Sequence, residues 1–357
     1  MIMESMSTEK RHIPVKRHYS GGKTGLMNLG NTCYMNSIIQ CLSNTTPLKQ
    51  YLLSEAYAED LNKRKPEWTV TREMVRLFNA MWENNCIIKP QSFKDTLSHH
   101  QHLFMGFRQH DSHEVLVFIL DLLHKGICYR PIINIKGEAL TDKDKMAVKA
   151  CEMWKKSHEK EYSFVVELFY GQYHSRSICD CGATNDAFEP FCFLPLPITY
   201  RTSNIIHCLN EFTHPETLDD DNKYNCDSCK KKTNAKRQLV FWKTPDVLVM
   251  TLKRFNMMHK VSKMIDFPLE GLDLSDYVNG YDKHRSVYDL YAVSNHTGGT
   301  LGGHYYAYCK MEDGNWYEFN DSTVTPPIKP SSVVTSAAYV LFYRKRGSWD
   351  KYDKRFE

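Results

Sequence analysis

The chain has 357 residues, 42% of them hydrophobic and 25% charged, enough apolar material to bury a substantial core in one elaborated domain or two. The net charge of +4 is mild and the basic residues are dispersed apart from Lys230, Lys231 and Lys232, which argues against a nucleic-acid surface and makes the lysine run a solvated turn. No apolar run approaches the ~20 residues of a membrane span and the N-terminus has no apolar signal core, so the expectation is a soluble monomer of the cytosol or nucleus, whose twelve cysteines are thiols, metal ligands or a nucleophile rather than disulfides.

Residues 1–22 are polar and basic and end in Ser20, Gly21 and Gly22, which predicts a mobile lead-in. Residues 25–42, GLMNLGNTCYMNSIIQCL, then read as a loop that delivers Cys33 to the start of a helix. Gly25, Asn28, Gly30 and Asn31 tolerate tight turns, and Met35, Ile38, Ile39 and Leu42 recur at helical spacing. A thiol placed there meets unpaired N–H groups and the positive end of the helix dipole, which favours the thiolate and can bring its pKa to ~3.5–7.5.

From residue 36 to about 160 the periodicity is mostly helical, with Met74, Leu77, Phe78 and Met81 on one face and Phe93 and Leu97 on another. Within this half, Gln109, His110, Asp111, Ser112, His113 and Glu114 precede the apolar run VLVFILDLL, and Asp111 with Glu114 has the spacing of a helix cap and its reciprocal acid. The charged stretch over residues 126–160 predicts an exposed connection and helix. From about Glu167 the pattern changes to short β-branched and aromatic runs with Asn279-Gly280 and Asp313-Gly314 as turn dipeptides, so the second half is sheet and the fold class is α+β. Residues 347–357 are charged and predict a fraying tail.

Three separated pieces suggest one site. They are Cys33, then the glycine pair Gly302 and Gly303 leading into a strand that starts with His304 and Tyr305, then Asn320 with Asp321. A thiol that attacks an amide carbonyl needs a base, and the base needs a third group to fix its ring. Cysteine, histidine and asparagine or aspartate supply those roles, and Asn28, just ahead of the nucleophile, could donate its amide to an oxyanion. A fourth piece is metal-like: Cys226 and Cys229 have the two-residue spacing of a tetrahedral zinc knuckle, and Cys179 with Cys181 form an upstream pair of less usual single-residue spacing.

In order along the chain, GLMNLGNTCYMNSIIQCL, RQHDSHEVLVFILDLLH, PDVLVMTLKRF, SNHTGGTLGGHYYAYCK, WYEFNDSTVT and AAYVLFYRK resemble the motifs of the ubiquitin-specific protease family over residues 25–344. The resemblance implies a papain-like cysteine peptidase shaped as a hand. A helical thumb would span about 25–165, zinc-tipped β fingers about 172–187 and 221–242, and a β palm the remainder of 166–346, the whole catalytic domain being residues 23–346. It further implies that Cys33 is the nucleophile, His304 the general base, Asn320 the third member and Asn28 the oxyanion donor; the expectation for Asp321, from its charge, is that it supplies the field while Asn320 orients the ring. Gln109, Asp111, Glu114, Gly303 and Tyr305 would meet the arginine-containing tail of ubiquitin, with residues 296–301 as a closing loop. Cys179, Cys181, Cys226 and Cys229 would hold one structural zinc. The implied activity is hydrolysis of the bond after the C-terminal glycine of ubiquitin, with ubiquitin and ubiquitinated proteins as partners. The alternatives are a ubiquitin-binding pseudoenzyme and a hydrolase of a ubiquitin-like modifier.

Overall fold

In the computed structural model, residues 2–7, 21–54, 56–255, 259–300 and 302–356 are described. The Cys33–Ser43 helix lies at the centre, and all 11 of its residues are buried. Helices Thr46–Leu53 and Ser112–Ile127 pack on one side of it and strands Val287–Gly298 and Gly303–Lys310 on the other. Around it the Trp68–Glu83 helix turns Met74, Leu77, Phe78 and Met81 inward, the face expected from their spacing. Phe93 and Leu97 do the same from the Gln91–His100 helix.

Beneath the helices lies an eight-stranded sheet. Its order is Thr323–Val324, Trp316–Asn320, Gly303–Lys310, Val287–Gly298, Ala338–Lys345, Val247–Leu252 and Leu194–Leu196, with Leu272–Asp273 paired to Val287–Gly298 off this path. The period of two along each strand divides the core. Val247, Val249, Val340 and Phe342 pack with the helices, whereas Leu248, Met250, Leu252, Leu341 and Tyr343 pack in a second core with the Ile205–Phe212 helix. Both faces being covered explains why all six residues of the Val247–Leu252 strand are buried and all but Thr251 are apolar. A second sheet of four strands, ordered Thr184–Phe191, Gly171–Cys179, Ala235–Lys243 and Glu216–Leu218, leads to the Tyr224–Cys226 and Lys231–Thr233 hairpin. Among the described residues no helix is long and apolar enough to cross a membrane.

Three expectations are corrected here. Met3–Ser7 is a strand paired antiparallel with Ile132–Lys136, and Ile2 is buried with Ala147, Ala150 and Trp242, so the lead-in begins by docking on an open strand edge. Residues 8–20 of that lead-in lie outside the described residues. The stretch over 126–160 contains the expected helix, Asp142–His158, but Ala147, Ala150, Cys151 and Trp154 bury one side of it. At the C-terminus Asp350–Phe356 is a helix, not a frayed tail. Tyr352 and Phe356, four residues apart, insert against Tyr51 and Phe164, Tyr352 donates its hydroxyl to Asp246 at 2.7 Å, and Arg355 pairs with Glu167 at 3.0 Å.

Candidate active site

Two side chains build the loop before Cys33, and one of them, Thr32, accepts from the Leu29 N–H at 2.8 Å through Oγ1. Asn28 Oδ1 accepts from the Gly30 and Thr32 N–H groups, both at 3.0 Å, which is an Asx turn. Gly30 has φ 93°, and a Cβ there would lie 2.5 Å from the Phe107 ring, so the position requires glycine twice over. Thr32 is the N-cap, its carbonyl accepting from the Met35 and Asn36 N–H groups, and Cys33 is the first helical residue as expected. The electrostatic expectation for the thiol is corrected, however. Cys33 is only 3% exposed, and burial pushes its pKa above the ordinary thiol value. Hydrogen bonding at the Tyr305 main chain lowers it in part, and the Asp321 carboxylate raises it again. Desolvation outweighs the helix terminus here.

His304 is the second residue of the Gly303–Lys310 strand, which pairs with Trp316–Asn320, and Tyr305, the next residue, brings its main chain to the Cys33 sulfur. His304 Nε2 lies 2.7 Å from Asn320 Oδ1. The orientation of that amide follows from its other end, because Asn320 Nδ2 donates to the Glu318 carboxylate at 3.3 Å. The oxygen therefore faces the imidazole and can only accept, which puts the proton of the neutral ring on Nε2 and leaves the Nδ1 lone pair as the base. The strand ends at Asn320, and Asp321 has φ 50°. That left-handed residue breaks the alternation and brings both side chains to one site, with Asp321 Oδ2 3.9 Å from His304 Nε2. Asp321 also accepts from the amides of Asn28 at 2.9 Å and Asn36 at 2.8 Å, and its carbonyl accepts from Leu26 N–H at 2.7 Å. Cys33, His304, Asn28, Asn320 and Asp321 are thus gathered from three segments.

Beside them the residues expected to meet a peptide tail line the junction of helices and sheet. Gln109 forms a two-point clasp with the backbone of Gly303, accepting from its N–H and donating to its carbonyl, both at 3.1 Å. Asp111 caps the Ser112–Ile127 helix by accepting from His113 N–H at 2.6 Å, while its other oxygen accepts from the Tyr339 hydroxyl at 2.6 Å. Glu114 does not complete a reciprocal cap; it is exposed, and partial burial together with the Asp111 charge raises its pKa. Tyr305 is buried with its ring centroid 4.5 Å from that of His296, whose pKa burial lowers to about 4. A Cβ at Gly303 would lie 2.2 Å from His296 Nε2, which explains a glycine before His304. Of the expected closing loop, residues 296–300 are described and Leu301 lies outside the described residues. Sequence reasoning missed Tyr339 and Asn36, and took His296 only as the start of the closing loop. For Asn36 a signal existed: Asn36 and Gln40, four apart, are polar on a helix otherwise read as apolar.

The four cysteines converge. Their sulfurs all lie within 4.8 Å of one another, Cys179 to Cys229 at 3.8 Å and Cys181 to Cys226 at 3.9 Å. A tetrahedron of thiolates with bonds of ~2.3 Å has edges of about 3.8 Å, so the set fits a metal ion, and the short Cys179 to Cys181 spacing is accommodated by a turn in which Gly182 has φ 85°.

A model of the ubiquitin carboxyl-terminal hydrolase family matches residues 24–343. The chain is 39% identical to ubiquitin carboxyl-terminal hydrolase 2 of Bos taurus over 96% of its own length and 58% of the relative's. It is 41% identical to the protein of the same name from Gallus gallus, covering 90% and 93% respectively. It thus spans little more than half of the bovine relative. Among solved structures, the SAGA Ubp8/Sgf11/Sus1/Sgf73 DUB module bound to ubiquitin aldehyde superposes with a TM-score of 0.72 at 25% identity, covering 96% of this chain and 71% of that one.

Proposed function

Because the chain belongs to the ubiquitin carboxyl-terminal hydrolase family, we propose that it is a deubiquitinase that cleaves the isopeptide or peptide bond after the C-terminal glycine of ubiquitin through an acyl-enzyme. The observation that carries this reading is the His304 to Asn320 hydrogen bond, which leaves the Nδ1 lone pair as a base on a strand whose next residue touches the Cys33 sulfur.

In this reading His304 Nδ1 takes the Cys33 proton and the sulfur attacks the glycine carbonyl. The oxyanion is met by the second hydrogen of the Asn28 amide and by unpaired N–H groups of the first helical turn. His304 then gives its proton to the leaving amine, and water, deprotonated by the same nitrogen, releases ubiquitin from Cys33. Asn320 holds the ring and the Asp321 charge stabilises the imidazolium. Asp111 and Glu114 offer carboxylates to the arginine side of the ubiquitin tail, and Gly303 and Tyr305 narrow its path. The donor set of Cys179, Cys181, Cys226 and Cys229 fits zinc, which would tie the finger strands together and take no part in the chemistry.

The test is turnover of a ubiquitin amide substrate. Cys33→Ala should lower kcat/KM by at least about a thousandfold while the Kd for ubiquitin stays within about threefold, since the sulfur supplies chemistry and the surrounding surface affinity. A Cys33→Ala protein that still turns over would end the proposal, and a wild-type protein that binds ubiquitin without cleaving would make it a receptor.

A further inference from the structure

Asn36 is 2% exposed on the wholly buried Cys33–Ser43 helix, one turn after Cys33. Its amide nitrogen faces three acceptors: Asp321 Oδ1 at 2.8 Å, Leu26 O at 3.2 Å and Met27 O at 3.4 Å. Among the described residues its oxygen, equally buried, has no hydrogen-bond partner. A flip would turn the oxygen onto three acceptors, so the orientation is forced. An unpartnered buried carbonyl is destabilising, and buried polar atoms without partners are rare. An apolar side chain of similar volume would avoid that penalty. What the asparagine supplies instead is a two-hydrogen donor at this one place.

Those two hydrogens fix things that bear on the reaction. One binds Asp321 Oδ1, which sets the rotation of the carboxylate so that Oδ2 holds the Asn28 amide at 2.9 Å and stands 3.9 Å from His304 Nε2. The other is shared by Leu26 and Met27, the residues from which the Asn28 loop departs. Resting on the deubiquitinase reading above, we propose that Asn36 is a positioning residue: its buried amide locks the Asp321 carboxylate, and through it the oxyanion loop and the imidazole, in the geometry that the reaction uses. Freed of Asn36, the carboxylate can turn away from Asn28 while the Cys33 and ubiquitin-binding surfaces stay as they are.

Two measurements on a ubiquitin amide substrate test this, with kcat and KM determined separately and Tm recorded under each condition. The first uses Asn36→Asp from pH 5.5 to 8.5. The titratable groups around this position are Asp321, which Asn36 touches, His304, 3.9 Å from that carboxylate, and the Cys33 thiol one turn back on the same helix, and the introduced carboxyl keeps a hydrogen for Asp321 only while protonated. The kcat ratio of variant to wild type should lie within about threefold of one at acid pH and fall at least tenfold on going to pH 8.5, with KM within about twofold. The second is a double-mutant cycle: Asn36→Leu should cost at least tenfold in kcat in the wild-type background and under about threefold in Asp321→Ala. A ratio that is flat with pH, or losses that simply multiply in the cycle, would mark Asn36 as structural only and overturn the proposal. Failure of the wild type itself to turn over would instead count against the deubiquitinase reading, so the two are separable.

Discussion

The imidazole of His304 has two unequal supports, an amide at 2.7 Å and a carboxylate at 3.9 Å, and their roles follow from what else each touches. Among the described residues the Asn320 side chain bonds only to the ring and Glu318, whereas Asp321 also holds Asn28, Asn36 and the Leu26 main chain. Asp321→Ala should therefore lose at least as much catalytic efficiency as Asn320→Ala, each retaining more than His304→Ala, with the double variant close to the histidine variant. An Asp321→Ala enzyme with unchanged turnover would show that Asn320 acts unaided. The buried thiol gives a pH prediction as well. Because burial raises the Cys33 pKa, iodoacetamide labelling of the free enzyme should still be climbing above pH 8.5, where an ordinary thiol of pKa ~8.5 begins to level off; a plateau near neutrality would mean that the helix terminus dominates after all. Cys33 and His304 were legible because their chemistry and their flanking glycines are local features. The Asn28 to Asp321 hydrogen bond was not, since it joins residues 293 apart in the chain, and the thiol's pKa was misjudged because helix placement is local while burial is tertiary.

Elements were legible where one period dominates, as in the Trp68–Glu83 helix, and illegible where charge masks a few anchors. The C-terminal helix is the clearest case: its charged residues suggest fraying, yet Tyr352 is 1% exposed and stacks edge-on against Phe164 at 5.5 Å. Tyr352→Ala should destabilise the fold by ~3–5 kcal/mol through lost burial and the lost hydrogen bond to Asp246, which keeps its ion pair with Lys351, read as a fall in urea midpoint at unchanged m. A change under about 1 kcal/mol would mean that this helix is only laid on the surface. The finger hairpin presents the opposite situation, in which the cysteine spacing was visible but the short first pair left Cys179 in question until Gly182 supplied the turn. Purified without chelator, the protein should carry about one zinc per chain, and Cys226→Ser should weaken ubiquitin binding at least tenfold while kcat at saturation stays within about threefold, because zinc contributes ~10–16 kcal/mol of apparent binding free energy to local folding. Substoichiometric metal in the wild type would contradict this.

At the level of the whole molecule, the α+β class and the change from helix to sheet near Glu167 were legible from periodicity, but the two cores on opposite faces of the palm sheet emerge only once strands from 194 to 345 are assembled. Two buried histidines make that assembly acid-sensitive: His158, close to Trp154, and His296, under Tyr305, are both lowered to about 4 by burial. The unfolded chain protonates such groups near 6.5, so between 6.5 and 4 it binds more protons than the native state, and stability must fall as pH falls, by up to about 1.4 kcal/mol per pH unit for each. Chemical denaturation at pH 7 and pH 5 should show this loss, and substituting either histidine by an apolar residue of similar size should reduce it; equal stabilities at the two pH values would mean that these rings charge freely in the native state. All of this architecture converges on one claim, that Cys33 is aimed at the end of a ubiquitin tail. Intact-mass analysis after treatment with ubiquitin bearing a C-terminal electrophile tests it: the wild type should carry a single adduct of one ubiquitin and Cys33→Ala none, and an unmodified wild type, or an adduct that survives loss of Cys33, would contradict it.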